Sequence, residues 1–131
     1  MRYILTMNNP YQNYLSISKN KSFHQQIQQV LGTPYHPPLS FDANILPKME
    51  KDSPYVLCID GTEASSTLSL IRMLRNRHPL ANIPMIVIFP AQNSFGTKLS
   101  HYKNISALAI EDIESDLSMY LEIAIDEQFI D

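Results

Sequence analysis

Asp60 closes an unbroken apolar run, Pro54-Tyr55-Val56-Leu57-Cys58-Ile59-Asp60. A carboxylate at the carboxyl end of a buried parallel strand stands where an open α/β sheet presents its chemistry. Such a group can accept a phosphoryl group, or it can cap a neighbouring turn as a satisfied hydrogen-bond acceptor. Metal-assisted phosphoryl transfer needs further carboxylates beside it to hold the cation, yet no Asp or Glu precedes Asp42. The position of an active site is present, and the acids of its metal cradle are missing.

Other reactive residue types form no comparable pattern. His24, His36, His78 and His101 are widely separated and show no ligand spacing with Cys58, so they read as surface residues and not as a metal site. With Gly32, Gly61 and Gly96 as its only glycines, the chain has no glycine-rich phosphate loop, which argues against a nucleotide-hydrolysing or dinucleotide-dependent enzyme. No catalytic residue and no cofactor are expected. Cys58, inside the apolar run, reads as a small core residue without a disulfide partner, which suits a reducing compartment. Arg72, Arg75 and Arg77 read as a solvated helix face, and Tyr11, Tyr14 and Tyr35 as packing of the N-terminal third.

The elements that must position Asp60 belong to one domain. At 131 residues, 44% of them hydrophobic, the chain can build one core and not two. No apolar stretch is long enough to cross a bilayer, and the start, Met1 to Met7, runs into Asn8-Asn9-Pro10 without the features of a signal peptide, so a cytoplasmic location is expected. Net charge is −3 but uneven: residues 1–41 carry Arg2, Lys19 and Lys21 and no acid, whereas residues 111–131 carry eight acids and no Lys or Arg. An acidic C-terminal segment opposes binding to nucleic acid through that surface and reads as a solvated helix face.

Residues 83–89 form a second continuous apolar run, and continuous runs fit strands covered on both faces. Between the two runs, Leu68, Ile71 and Leu74 line one side of an expected helix from Ser65 to His78, giving a β-α-β unit with a right-handed crossover. A weak helical segment over 94–102 and a strand over Ala107 to Ile110 follow. Asp112 is expected to cap a helix from Ile113 to about Ile130, with Leu117, Tyr120, Leu121 and Ala124 turned inward. Met119, Ile123 and Ile130 fall on another side of it, an apolar excess that points to a dimer partner or a following domain. Near the N-terminus, Ser22 and Gln25 resemble a capping box and Gly32 a C-cap, so a helix runs from Ser22 to Leu31. Its preceding strand is either Arg2 to Met7 or Tyr14 to Ser18, the latter leaving residues 1–13 as an extension. Pro34, Pro37 and Pro38 crowd the next strand position, around Leu39 to Phe41, which should be short and at a sheet edge, and 42–51 reads as a short helix.

Assembled in order, these are five β/α units with the strand of Asp60 third, and the chain resembles a receiver domain of bacterial two-component response regulators. The resemblance spans essentially the whole chain and is closest in Pro54 to Asp60, which it places as the family's third strand and phosphoacceptor. It implies a flavodoxin-like five-stranded parallel sheet of order 2-1-3-4-5 with helices on both faces. It also implies a metal-binding acid pair after the first strand, but Asn8 and Asn9 stand there in one register and residues 16–20 in the other, with no carboxylate in either. The family's hydroxyl residue at the end of the fourth strand falls at Pro90, followed by Ala91, which agrees with the family. Its lysine after the fifth strand falls at Glu111 or Asp112, where an anion would repel a phosphorylated Asp60. Three of the four groups that work with the phosphoacceptor are thus changed in kind.

These departures imply a pseudo-receiver with weak or absent Mg²⁺ binding, a regulatory module of a signalling or transcription protein that works through protein contacts. The family's signalling surface maps onto residues 94–130, so Met119, Ile123 and Ile130 are expected to meet a protein partner or a second copy, with an effector domain as a further candidate partner. A receiver phosphorylated at Asp60 is the competing expectation. A sensor binding an uncharged small molecule near Asn8 and Asp60 is a third.

Overall fold

The computed structural model describes residues 10–40, 54–76, 82–90, 99, 102 and 104–129. Four strands, β1 (Tyr14–Ile17), β2 (Val56–Asp60), β3 (Met85–Phe89) and β4 (Ile105–Ala109), form one parallel sheet in the order β1-β2-β3-β4. Helix α1 (Lys21–Leu31) follows β1, α2 (Ala64–Arg75) follows β2, and α3 (Ile113–Asp126) follows β4. The protein is therefore an α/β domain built on a parallel sheet, and no helix among the described residues is long and apolar enough to cross a membrane.

Both faces of the sheet are covered, which is why its strands read as unbroken apolar runs. Successive side chains alternate between two cores. Leu15, Ile17, Leu57, Ile59, Met85 and Val87 pack toward Leu70, Ile71 and Leu74 of α2 and toward Leu99. Tyr14, Val56, Cys58, Ile86, Ile88 and Leu108 pack toward Phe23 and Ile27 of α1 and Ile113, Leu117, Leu121 and Ile125 of α3. Burial of this kind contributes about 1.5–3 kcal/mol per large apolar side chain. Burial also pushes the Cys58 thiol up to about 12 and raises the Tyr14 phenol, whose hydroxyl donates to the carbonyl of Gly32 at 2.5 Å.

Of the two candidate first strands, Tyr14–Ile17 is the one that enters the sheet, in register with Val56–Ile59; Arg2 to Met7 lies outside the described residues. Leu39 makes a single parallel bridge to Ile17, through Ser18 N to Leu39 O and Leu39 N to Ser16 O, both 3.0 Å. The short edge strand expected there is reduced to this one residue among those described. The segments 42–51, 91–98 and Ile130 lie outside the described residues, as do Phe41 and most of 94–102.

Helix ends differ from the expected ones in instructive ways. Helix α1 begins at Lys21, and its cap is Asn20, whose Oδ1 accepts from Ser22 N at 3.2 Å and from Ser22 Oγ at 2.9 Å. The Ser22/Gln25 pattern mimics a capping box, but an extended Asn two residues before the free N–H is the better acceptor. Gly32 ends the helix at φ 87°, a conformation that favours glycine, and its N–H reaches Gln28 O at 2.8 Å. Asp112 stands at the N-cap position of α3, yet its side chain makes no capping bond. A 3₁₀ turn over Ile110–Asp112 already leads the chain into the helix, so Asp112 lacks the extended backbone that aims a cap side chain inward. Tyr11 OH donates to Asp126 Oδ1 at 2.8 Å, tying the N-terminal side of the described structure to the end of α3. That hydrogen bond is the main cause raising the Tyr11 phenol above its ordinary range.

Candidate functional site

Helix α1 packs on one face of the sheet and α2 on the other, so the chain leaves β1 and β2 in opposite directions. The crevice between the carboxyl ends of these two strands is a topological switch point, the place where open α/β sheets bind ligands. Asp60, the last residue of β2, sits half-buried at this crevice.

The register pairs Ile17 with Ile59, which brings Ser18 beside Asp60. Ser18 is 2% exposed, and its hydroxyl donates to Asp60 Oδ2 at 2.7 Å while accepting from Asn20 N at 2.9 Å. The other oxygen, Asp60 Oδ1, accepts from Thr62 N at 3.0 Å and from Thr62 Oγ1 at 2.6 Å, an Asx turn that folds the chain back toward α2. Gly61 N bonds Ile88 O at 2.7 Å, holding the turn against β3. Thr67 Oγ1 donates to the carbonyls of Asp60 and Glu63 at 3.1 and 2.9 Å. Both carboxylate oxygens of Asp60 thus accept hydrogen bonds from fixed groups. Donors to a charged acceptor are each worth about 1.5–3 kcal/mol.

A second polar chain leads away from the crevice. His24 Nε2 lies 3.1 Å from Ser18 O, and its Nδ1 lies 2.7 Å from the buried Ser16 Oγ. A carbonyl only accepts, so Nε2 donates to Ser18 O, and in the neutral form of the ring Nδ1 accepts a hydrogen bond from the Ser16 hydroxyl. His24 therefore clamps α1 onto β1 and fixes the backbone of the residue that holds Asp60.

Lys19, Asn20, Asp60, Thr62 and Glu63 line a shallow cavity of about 320 Å³ at the switch point. Lys19 Nζ and Glu63 Oε1 are 3.9 Å apart with both side chains well exposed, a pair worth little in water. Among the described residues, no three His, Cys, Asp or Glu side chains gather as a metal site would require. Among the described residues, Asp60 and Glu63 are the carboxylates around this cavity, and the neighbouring Ser18, Asn20 and Thr62 offer neutral oxygens, with the Ser18 and Thr62 hydroxyls already donating to Asp60. That set does not fit Mg²⁺, which demands near-ideal octahedral geometry and gives up its water reluctantly.

The remaining residues singled out from sequence fall as follows. Pro90 directly follows β3 and lies two residues beyond Ile88, the residue in register with Asp60; it supplies neither a hydroxyl nor an N–H. Glu111 and Asp112 are exposed on the turn after β4, which β3 separates from β2 in the sheet. Glu111 lines a different hollow, of about 530 Å³, with Gln26, Gln29, Val30, Ile113 and Glu114. Met119 and Ile123 are exposed on α3. Asn8, Asn9, Ala91 and Ile130 lie outside the described residues. Ser18 and Thr62 were not singled out from sequence. Asp-Gly-Thr at 60–62 is a turn signal that points to Thr62, whereas Ser18 becomes visible only once the register of β1 is known.

No model of a known protein family matches the chain, and no curated protein sequence matches it.

Proposed function

We propose that the chain is a degenerate receiver-like regulatory domain that acts through protein contacts and not through Mg²⁺-dependent phosphorylation of Asp60. In this reading the sheet has the flavodoxin-like order 2-1-3-4-5, with the Leu39 bridge as the remnant of the second strand. The observation that carries the proposal is the engagement of both Asp60 oxygens by Ser18 and Thr62. A carboxylate used as a structural acceptor organises the β1 and β2 ends, and its nucleophilic lone pairs point at donors instead of at an incoming phosphoryl group. Ser18, Lys19 and Asn20 follow β1 where a receiver would carry its metal-binding acids, and Lys19 brings a positive charge to the position of a cation site. The domain is read as a non-enzyme without a cofactor, working in the cytoplasm as a single regulatory unit.

The test is incubation of the full chain with acetyl phosphate and Mg²⁺, followed by intact-mass measurement. An unchanged mass is expected. A phosphoryl adduct that disappears in Asp60→Asn would overturn the reading and leave a conventional receiver in its place.

A further inference from the structure

Met119 and Ile123 lie one turn apart on the outer side of α3, 53% and 51% exposed. Single exposed apolar side chains are ordinary. Here, however, three of the five large apolar side chains exposed among the described residues, Ile110, Met119 and Ile123, belong to one segment of the chain. Ile123 also forms part of a hollow of about 320 Å³ with Pro84, Tyr120, Ala124 and Glu127, between α3 and the amino ends of β3 and β4. The outer face thus offers a two-residue apolar stripe beside a recess large enough for an anchoring side chain, a combination suited to receiving a helix.

The surrounding charge selects the occupant. Asp116 and Glu122 stand three residues either side of Met119, and Asp126 and Glu127 stand three and four residues beyond Ile123, so acids flank Met119 on both sides and Ile123 on its C-terminal side, with Asp126 also accepting from the Tyr11 hydroxyl. Residues 104–129 contain no Lys or Arg. A second copy docked by a two-fold axis would set this face against itself and oppose like charges across a desolvating contact. Nucleic acid is disfavoured by the same sign. An amphipathic helix with Leu or Ile at i and i+4 and Lys or Arg on its flanks meets both the apolar stripe and its acidic borders.

We propose that the outer face of α3 docks a Lys- and Arg-bearing amphipathic helix of a partner protein, with Met119 and Ile123 seating its apolar side and Asp116, Glu122 and Glu127 its cations. This rests on the reading of the domain as a module that works through contacts. It is independent of the chemistry at Asp60.

The experiment is titration of the full chain with a synthetic Leu/Lys amphipathic helix, with a Leu/Glu peptide of the same apolar pattern as control. Fluorescence anisotropy gives affinity, and amide chemical shifts give the location. Expected results are binding of the Leu/Lys peptide with shifts along α3, weakening as salt is raised. Met119→Ser/Ile123→Ser should weaken binding about tenfold or more, as for anchor residues, and Glu122→Lys/Glu127→Lys should abolish it, all with unchanged melting temperature. Comparable binding of the Leu/Glu peptide, shifts away from α3, or no binding of either peptide would each refute the docking site. So would a dimer in light scattering that strengthens with salt and is lost in Ile123→Glu. An Asp60 phosphoryl adduct under acetyl phosphate would remove the pseudo-receiver reading while leaving these outcomes unchanged, so the two failures are told apart.

Discussion

The crevice at Asp60 and the outer face of α3 both place charged and uncharged groups side by side, but they resolve the contact in opposite ways. At Asp60 a half-buried carboxylate receives hydroxyl and amide donors from two strand ends. On α3, Met119 and Ile123 remain in water between carboxylates. The first arrangement is complete within the chain, since its polar atoms have found partners of fixed geometry. Among the described residues, the second leaves apolar surface exposed and sets no cation against its carboxylates, Asp126 taking the Tyr11 hydroxyl instead. A position where the fold meets its own requirements is a poor place to look for a partner, and one where it does not is a better place.

The contrast can be tested first within α3 itself. Leu121→Ala, at a fully packed inward position, should cost about 2–5 kcal/mol in urea unfolding. Ile123→Ala, two residues on and outward, should stay within about 0.5 kcal/mol. Equal losses would mean that the outer face is packed in solution, and the distinction between the regions would fall. Next in size, Asp60→Ala withdraws the acceptor from a buried serine hydroxyl, and a loss of about 1–3 kcal/mol is expected. Glu122→Ala on α3 is the matched control and should change stability little. If the two carboxylates proved equally dispensable, Asp60 would have no structural role, and its hydrogen bonds would not explain its presence.

A pH-dependent effect separates the interior from both regions. The Cys58 thiol has an ordinary value of 9.0 and is raised to about 12 by burial. Between these values the unfolded chain gives up the proton first, so the thiol's contribution is fully present below pH 9.0 and is lost as pH rises toward about 12. The slope for one group is about 1.4 kcal/mol per pH unit at most. Tyr14, raised from 10.0 by the same cause, adds its own decline at higher pH. In Cys58→Ala the fall in stability should begin near pH 10.0 instead of 9.0, read from the slope of urea midpoints against pH. An unchanged onset would show that Cys58 is accessible to solvent.

Much of the sheet was legible because its strands are buried on both faces and therefore continuous in hydrophobicity. Val56–Asp60 and Met85–Phe89 lie inside the apolar runs that announced them. Strand β4 sits slightly earlier than expected, at Ile105–Ala109, because Ile110 is taken by the 3₁₀ turn into α3. The first strand stayed ambiguous since two apolar stretches compete for one place, and only pairing with β2 decides between them. At the candidate site Asp60 was readable from its place at a strand end. Ser18 was not, since it lies 42 residues away and is delivered by inter-strand register. The exposed pair on α3 was readable from helical periodicity alone, whereas the recess beside Ile123 depends on how α3 lies over Pro84.

The Leu39 bridge gives the Asp60 crevice a timing as well as a shape. The same residue, Ser18, gives its amide to Leu39 and its hydroxyl to Asp60. Pro34, Pro37 and Pro38 have no amide to donate, so apart from the Tyr35 amide bond to Gln12 O this strap adds few backbone bonds, and it is expected to open before the rest of the sheet. Each local opening of the strap frees one side of Ser18 while the β1–β2 pairing persists. The Ser18 amide proton should then exchange with solvent faster than those of Leu57 or Val87, making it a clock for how often the support of Asp60 loosens.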